Sequence, residues 1–435
     1  MSSKQTKITL FTATALVIAN MIGTGVFTSL GFTLYDLTSP FTILLLWVVG
    51  GLVALCGALC YGELGAALPR SGSEYHYLSK LIHPSVGFLS GFVSVTVGFA
   101  APVALAAMAL GGYASRVFPQ LNEIGIALAV ITLLTGVHAS SVRLGSGVQN
   151  IFTTLKVLLI LVIVIAGFFI AEPQAISLVP DQKSWDEILS SGFAVSLYWV
   201  FYSYSGWNAS AYIAGELDQP QKNLPRSLFR GTLFVMILYL LINFIFLYTT
   251  PAADMLGQKE VAFVAAGSIF GMEGGRVIGL IISILLVSTV SSMVLVGPRV
   301  AQVMGEDLGL MRFLSIKNKN GVPWIAVILQ SIISITLVLT ASFEKVLNYV
   351  GFTLNIFLFL TVFSLFALRI RHPELPRPYK TWGYPVTPIL FLGVTGWVLF
   401  KGFELKPIES LYGLGTIGIG LVIYFIDYLS RVKKK

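Results

Sequence analysis

Three short stretches hold the residue types that could do chemistry in this chain. The first is Gly23-Thr24-Gly25, in "ANMIGTGVF" at 19–27. The second is Ser203, Tyr204, Ser205 and Gly206, in "FYSYSGWNAS" at 201–210. The third is Lys156, in "TTLKVLLI" at 153–160. Each stands inside a long apolar run. Glycine costs a helix about 1 kcal/mol relative to alanine, so two glycines around a threonine in mid-run predict an interruption. A break frees N–H groups on one side and C=O groups on the other, and inside a bilayer these need a cavity or a ligand. The N–H groups that open a half-helix, helped by its dipole, attract an anion; the carbonyls that end the other half attract a cation. Side by side they suit a small zwitterion, and an α-amino acid is the obvious candidate. Gly23, Thr24 and Gly25 are then expected to offer N–H groups to its carboxylate. A side chain at Gly25 is expected to block that approach and leave the fold intact.

Lys156 poses a different question. It lies about eight residues into its run, roughly 12 Å deep at 1.5 Å per residue, and its side chain reaches only about half that distance to an interface. A charge near mid-membrane costs about 2.5–3.5 kcal/mol on the insertion scale and usually marks function.

The elements that must position these residues follow from composition. Of 435 residues, 56% are hydrophobic and 11% charged, against about 25% charged in a soluble domain; mean hydropathy is +0.84. The fold class expected is an all-α polytopic membrane protein. Apolar runs of spanning length are expected at 9–34, 40–66, 85–115, 123–140, 147–171, 188–216, 228–250, 275–304, 322–341, 346–369, 386–402 and 408–430, numbered here span 1 to span 12. The stretch "VAFVAAGSIFG" at 261–271 is too short to cross and is expected to lie along the outer face. "MSSKQTK" leads into span 1 without a cleavage-site pattern, so span 1 is read as retained.

Lysine and arginine set the orientation. With the N-terminus inside, the inner segments hold twenty of the 28, from Lys4 and Arg143 to Lys433, Lys434 and Lys435. The outer segments hold Arg116, Lys183, Lys259, Arg276, Lys345, Lys401 and Lys406. Both termini are therefore expected in the cytoplasm, and the net charge of +8 is explained by topology with no need of nucleic acid. Cys56 and Cys60 share one helix face and read as packing residues, and there is no second pair to hold a metal. His76, His83, His138 and His372 fall in or beside inner loops, too scattered for a catalytic cluster. Glu63 and Glu216, near inner helix ends, read as structural. No carboxylate is expected in the pocket.

The two interrupted runs fall one repeat apart. Span 1 opens one set of five spans and span 6 the next, which is the sequence pointer to inverted repeats. Five is odd, so the second set enters from the opposite side. The organisation expected is one transporter domain over 1–435: repeat one at about 9–171, repeat two at about 188–369, and two additional helices at about 386–430. Elsewhere, "GGLVALCGALCYGELG" and "LGGYA" read as helix-packing surface.

With "IGTGVF", "YGELGAALPRSGSEYHYL" at 61–78 and "GWNASAYIAGELDQPQKNLPRSL" at 206–228, the chain resembles the amino acid–polyamine–organocation superfamily, and within it the L-amino acid transporter branch and its bacterial relatives. The likeness has specific motifs over about the first 300 residues; the last two spans match by number and hydropathy. It implies twelve spans in a five-plus-five inverted repeat with spans 1 and 6 unwound, substrate between them, and spans 3, 8 and 10 lining the rest. Carried over by position, the carboxylate meets Thr24, Gly25 and Gly23. The ammonium meets carbonyls around Met21 and from Tyr202 through Ser203 and Tyr204 to Ser205, beside Gly206. Tyr202 takes the place of an aromatic gate. Lys156 looks like the lysine that, in sodium-independent members, reaches the space where sodium-coupled ones hold sodium between spans 1 and 8; its expected partners are span 1 carbonyls and hydroxyls in "STVSS" at 288–292. Relatives of the acid-resistance type carry a carboxylate where this chain has Asn208, which argues against agmatine-type chemistry. Eukaryotic relatives join a heavy chain through a cysteine between spans 3 and 4. "VFPQLNE" at 117–123 has none, so no disulfide-linked heavy chain is expected.

The function expected is sodium-independent exchange of neutral L-amino acids by alternating access, in the cell membrane and, by the resemblance, the inner membrane of a bacterium. Proton-coupled symport, with Lys156 as proton carrier, is the alternative within transport. A receptor or enzyme is the alternative outside it. An enzyme would need convergent acid, base, nucleophile or metal groups, and Lys156 stands nearly alone. No catalytic residue, metal or cofactor is expected.

Overall fold

The computed structural model describes residues 7–140, 146–169 and 173–432, without the side chains of 146–149 and 431–432. Lys4, Arg143 and Lys433 to Lys435 lie outside the described residues, as does the expected boundary of repeat one at 171. Among the described residues the chain is helical, with one isolated β-bridge between Ile8 and Leu217. Ten helical segments among the described residues, span 1 counted across its break, are long and apolar enough to cross a membrane. Two expected spans are not among those ten: span 9, Trp324–Thr340, has 17 residues, and span 6 is broken.

The interruptions fall where the glycines stand. Span 1 is two helices, Leu10–Met21 and Gly25–Thr33. Span 6 runs as an α-helix over Ser191–Tyr204, turns through 205–208, and continues as a 3₁₀-helix over Ala209–Glu216. Its break thus begins two residues later than the start of "SYSGWN", because Ser203 and Tyr204 complete the last helical turn. Gly206 supplies the reversal, with φ +94°, where L side chains are strained. A third irregularity lies in span 3, which contains a π-helical turn at Ser94–Gly98 between Pro84–Val93 and Ala100–Val117. Such turns widen a helix locally, and no sequence pattern announced this one.

Other boundaries shift modestly. Span 2 is Pro40–Ala67, started by Ser39 as N-cap and Pro40 at the first turn. Span 7 begins early, at Pro220, since proline is tolerated in a first turn. The short apolar stretch is helical from Val261 and parts from span 8 at Gly271, whose φ of +76° breaks the helix that otherwise runs to Asp307. Spans 4, 5, 10, 11 and 12 are Glu123–Ser140, Ser146–Gly167, Phe343–Arg371, Val386–Leu405 and Pro407–Val432. Span 2 packs along span 7, and span 3 along span 8; the first half of span 1 lies on span 7, and the α-helix of span 6 on spans 2, 10 and 11.

Candidate functional site

The two breaks face each other across a cavity of about 810 Å³. Its walls come from both breaks, from Ser90, Ser94 and Phe99 of span 3, from span 8 between Val287 and Val303, and from Asn355 of span 10. It extends to one end of the bundle, where Ile8, Ser71, Glu216 and Arg299 line it. At that end the chain before span 1 is tied to the end of span 6: the Ile8 N–H donates to the Glu216 carbonyl at 3.0 Å, and the Asp218 N–H to Ile8 at 2.9 Å.

Toward the opposite end the second half of span 1 is fastened to its neighbours. Ser29 Oγ and Ser203 Oγ are 2.8 Å apart, and Ser29 reaches the Trp199 carbonyl at 3.1 Å. Tyr113 donates to the Phe27 carbonyl at 2.8 Å, and Trp199 Nε1 to Asn348 Oδ1 at 3.0 Å. Phe32 meets Trp199 edge-on at 5.2 Å and stacks on Phe343 at 5.7 Å. These contacts close the cavity on that side.

The sequence-selected residues take distinct positions around the breaks. The N–H groups of Thr24, Gly25 and Val26 donate to no backbone carbonyl among the described residues, as expected for the first turn of a half-helix. The Gly23 N–H differs, for it donates to the Met21 carbonyl at 2.8 Å. That carbonyl also accepts from the Tyr239 hydroxyl at 2.5 Å, so Met21 is already engaged from both sides. On span 6 the Tyr202 carbonyl takes the Ser205 N–H at 3.0 Å, whereas the carbonyls of Ser203, Tyr204 and Ser205 accept no backbone N–H among the described residues. Of these residues Thr24 and Gly25 on one break, and Tyr204 and Ser205 on the other, line the cavity, so one break offers donors and the other acceptors to the same space.

Side chains divide the same residues further. Thr24 Oγ1 and the Tyr202 hydroxyl lie 2.7 Å apart and join the two breaks directly. Tyr204, which also lines the cavity, bonds the Trp47 carbonyl through its hydroxyl at 3.1 Å, against Trp47 and Tyr239. Ser203 is not in the cavity wall: it sits against Gly25, where an added Cβ would stand 2.5 Å from Ser203 Cα. The expectation that a side chain at Gly25 leaves the fold intact is corrected by this contact, since it would press on backbone. Gly23, by contrast, has room for a Cβ, which would meet only Thr289 Cγ2 at 3.8 Å and the Met21 carbonyl oxygen at 4.0 Å, ordinary van der Waals contacts. At Gly206 an added Cβ would stand 2.8 Å from the Asn20 carbonyl carbon.

Lys156 is buried, 2% exposed. Its ammonium donates to the Ile22 carbonyl at 3.0 Å and to Thr289 Oγ1 at 2.8 Å. It therefore spans from span 5 to the break in span 1 and to the "STVSS" stretch of span 8.

One expectation about the pocket is overturned. Two carboxylates line the cavity, Glu74 and Glu216. Glu216 is exposed at the open end; Glu74 is buried, on a short helix between spans 2 and 3. Glu63 is structural in its contacts: Arg369 grips both its oxygens at 2.9 and 2.7 Å, and the Thr381 N–H adds a bond at 2.7 Å. Tyr239 and Glu74 were not singled out from sequence. Tyr239 is one tyrosine among 17 in an apolar helix, and only its hydroxyl's reach to the break distinguishes it. No group of three or more His, Cys, Asp or Glu that could hold a metal occurs among the described residues.

A multi-pass helical protein, with two interrupted helices meeting at a cavity that reaches one end of the bundle, has the build of a membrane transport protein. The family model for amino acid permeases matches residues 8–408, and the chain belongs to that family, within the amino acid–polyamine–organocation superfamily. The b(0,+)-type amino acid transporter 1 of Mus musculus is 29% identical over 438 residues, covering 98% of this chain and 88% of its own length. The large neutral amino acids transporter small subunit 2 of Homo sapiens is 28% identical over 442 residues, covering 99% and 82%; that of Mus musculus is 27% identical over 439 residues, covering 99% and 82%. Family and relatives are transporters rather than enzymes.

Proposed function

We propose that this permease exchanges neutral L-amino acids by alternating access without sodium. The observation that carries the reading is Lys156: a fixed ammonium joins the break in span 1, through Ile22, to span 8, through Thr289. It brings an amine to the space where the resemblance puts sodium in sodium-coupled members. The substrate carboxylate meets the free N–H groups of Thr24 and Gly25, with Gly23 giving access. The ammonium meets the carbonyls of Tyr204 and Ser205, while Ser203 lies behind the cavity wall against Gly25. Met21 and Gly206 shape the floor, and Tyr202 closes over the substrate from its bond to Thr24. Neutral side chains fit because the free oxygen of Glu74 is shut off from the cavity and Glu216 lies at its mouth.

In this reading the chain is one transporter domain of twelve spans. Repeat one is at about 9–171, repeat two at about 188–369, and two helices follow at about 386–430. Both termini face the cytoplasm of a bacterial cell, so the cavity opens inward. Two of the relatives are small subunits by name, and so parts of an assembly. We assign no disulfide-linked heavy chain here, because both cysteines lie within span 2, Cys60 buried and Cys56 half-buried.

Counterflow in proteoliposomes tests the function. Labelled alanine, serine and leucine should enter vesicles preloaded with unlabelled amino acid, equally in sodium and choline media. Dependence on sodium would overturn the fixed-cation role of Lys156. Accumulation without preloaded amino acid, driven by a proton gradient, would replace exchange with symport.

A further inference from the structure

Spans 3, 8 and 10 supply much of the cavity wall away from the breaks, and several of its polar side chains already bond elsewhere. Ser94 donates to the Ser90 carbonyl at 2.9 Å, Ser288 to Leu285 at 2.8 Å and Ser292 to Ser288 at 2.7 Å. Asn355, on span 10, differs. Its Nδ2 donates to the Gly351 carbonyl at 2.6 Å. A carbonyl takes only a donor, so this bond identifies the nitrogen and fixes which way the amide is turned. The Oδ1 atom accepts no hydrogen bond among the described residues, yet it is not sealed in protein as Oδ1 of Asn243 and Nδ2 of Asn348 are. Asn355 is only 6% exposed and stands in the cavity wall, so Oδ1 opens to the cavity.

Contacts between the spans set Asn355 level with the breaks. Trp199 of span 6 bonds Asn348 of span 10 at 3.0 Å. Further along span 6, the Tyr212 ring meets Phe99 of span 3 at 6.2 Å. Further along span 10, Leu354 faces Gly98, the neighbour of Phe99, where an added Cβ would stand 3.4 Å from Leu354 Cδ2. Spans 6 and 10 therefore run in the same direction. Two helical turns take about seven residues, so Asn355 lies on the same face of span 10 as Asn348, two turns on. Two turns on from Trp199 is Gly206, in the break. The π-helical turn Ser94–Gly98 brings a residue without a side chain against span 10 at this level, which leaves room beside the amide.

An acceptor held in one orientation costs free energy when a ligand displaces its water and offers no donor. In the exchange reading the breaks take up the substrate's carboxylate and ammonium, so the group left to supply a donor is the side chain. We propose that Asn355 selects substrates by that side chain, accepting a hydrogen bond from the hydroxyl of serine or threonine. The proposal rests on the exchange reading and narrows its neutral substrates to those with a hydroxyl. An amide side chain fits less well, since it brings a carbonyl that needs a donor of its own, and Ser94, Ser288 and Ser292 have spent theirs on backbone. An alkyl side chain leaves Oδ1 without a partner, and a site built to bond a hydroxyl discriminates against the analogue that lacks it. Ser90 also lines the cavity, but it precedes Gly98 by two turns and lies about 12 Å nearer the open end, too far for a side chain of two or three heavy atoms.

The test is competition within isosteric pairs. Serine and 2-aminobutyrate, like threonine and valine, differ by a hydroxyl in place of a methyl group. In proteoliposomes of the full chain, unlabelled members of each pair compete with labelled alanine. Wild type should favour the hydroxyl member of both pairs by roughly twofold to tenfold, the equivalent of one hydrogen bond. Asn355→Leu, of nearly the same size, should lose that preference, and because the readout is a ratio within a pair, a general fall in activity does not affect it. A wild type that does not favour the hydroxyl members overturns the proposal without need of a variant. A preference unchanged in Asn355→Leu also overturns it, and assigns the hydroxyl to a polar group of the breaks such as Ser205. If the wild type exchanges no amino acid, the exchange reading fails. Thermal stabilisation of wild type and Asn355→Leu in nanodiscs by the same four amino acids then still decides whether Asn355 reads the hydroxyl.

Discussion

Two glycines two residues apart, Gly23 and Gly25, should respond in opposite ways to the same added methyl group. At Gly25 a Cβ would stand 2.5 Å from Ser203 Cα and Oγ and 2.8 Å from its Cβ. Carbon atoms prefer about 3.5–4.0 Å, and a backbone atom cannot swing aside, so Gly25→Ala must part spans 1 and 6 by about 1 Å. Overpacking of this kind costs about 1–3 kcal/mol, and the parting also weakens the 2.8 Å bond between Ser29 and Ser203, about 0.5–1.5 kcal/mol. The sum, about 1.5–4.5 kcal/mol, should lower the melting temperature by several degrees and loosen the closed side of the cavity. At Gly23 the nearest atoms to a Cβ are 3.8 and 4.0 Å away, its φ is not left-handed, and stability should move by less than about 0.5 kcal/mol. Its methyl would nevertheless enter the cavity beside the free N–H groups of Thr24 and Gly25. Melting curves and alanine binding on the same nanodisc samples separate the two effects. Gly25→Ala should melt early, whereas Gly23→Ala should melt like wild type and bind weakly. A Gly25→Ala protein with the wild-type melting temperature refutes the packing argument. A Gly23→Ala protein with wild-type affinity removes the break from the binding site.

Lys156→Ala leaves the Ile22 carbonyl and the Thr289 hydroxyl without their donor, at about 1–3 kcal/mol for each group that stays dry; exchange should fall roughly tenfold or more, and Lys156→Arg should restore little of it because a planar fork does not replace a compact ammonium. Unchanged exchange in Lys156→Ala would leave that lysine a purely structural residue. Tyr202→Phe loses the 2.7 Å bond to Thr24 and should weaken apparent affinity by roughly tenfold at most, whereas Tyr202→Ala should also impair closure; equal, full activity in both would assign Tyr202 to packing. Glu63→Gln removes the partner of a half-buried Arg369 and should cost about 3–5 kcal/mol of stability, read as early melting, with wild-type melting counting against the clamp.

Much of the site was legible because an interrupted helix leaves a local signature. Glycine and small polar residues in mid-run announced both breaks, and a lysine deep enough to strain snorkelling pointed to Lys156; these are properties of a few neighbouring residues. What was not legible depends on where side chains from distant elements end. Tyr239 and Tyr204 are both tyrosines in apolar helices, yet one hydroxyl reaches the break at Met21 and the other reaches Trp47 in span 2. Ser203 and Ser205 look alike in "SYSGWN", but helical phase turns Ser203 onto Gly25 and leaves Ser205 in the cavity wall. The π turn in span 3 lies in "SVTVG", which has no strong breaker to reveal it.

Glu63 and Glu74 make the same point in energetic terms. Both stand in "YGELGAALPRSGSEYHYL" and both are buried. The guanidinium that pairs with Glu63 comes from residue 369, about three hundred positions along the chain, and that Glu74 has no such ion pair among the described residues is visible only after the fold has brought its neighbours in. A sequence gives each carboxylate its place on a helix; the charge it can bear is decided by what the other spans deliver to it. For that reason the charged residues of this permease, rather than its glycines, are where structure adds most to the functional argument.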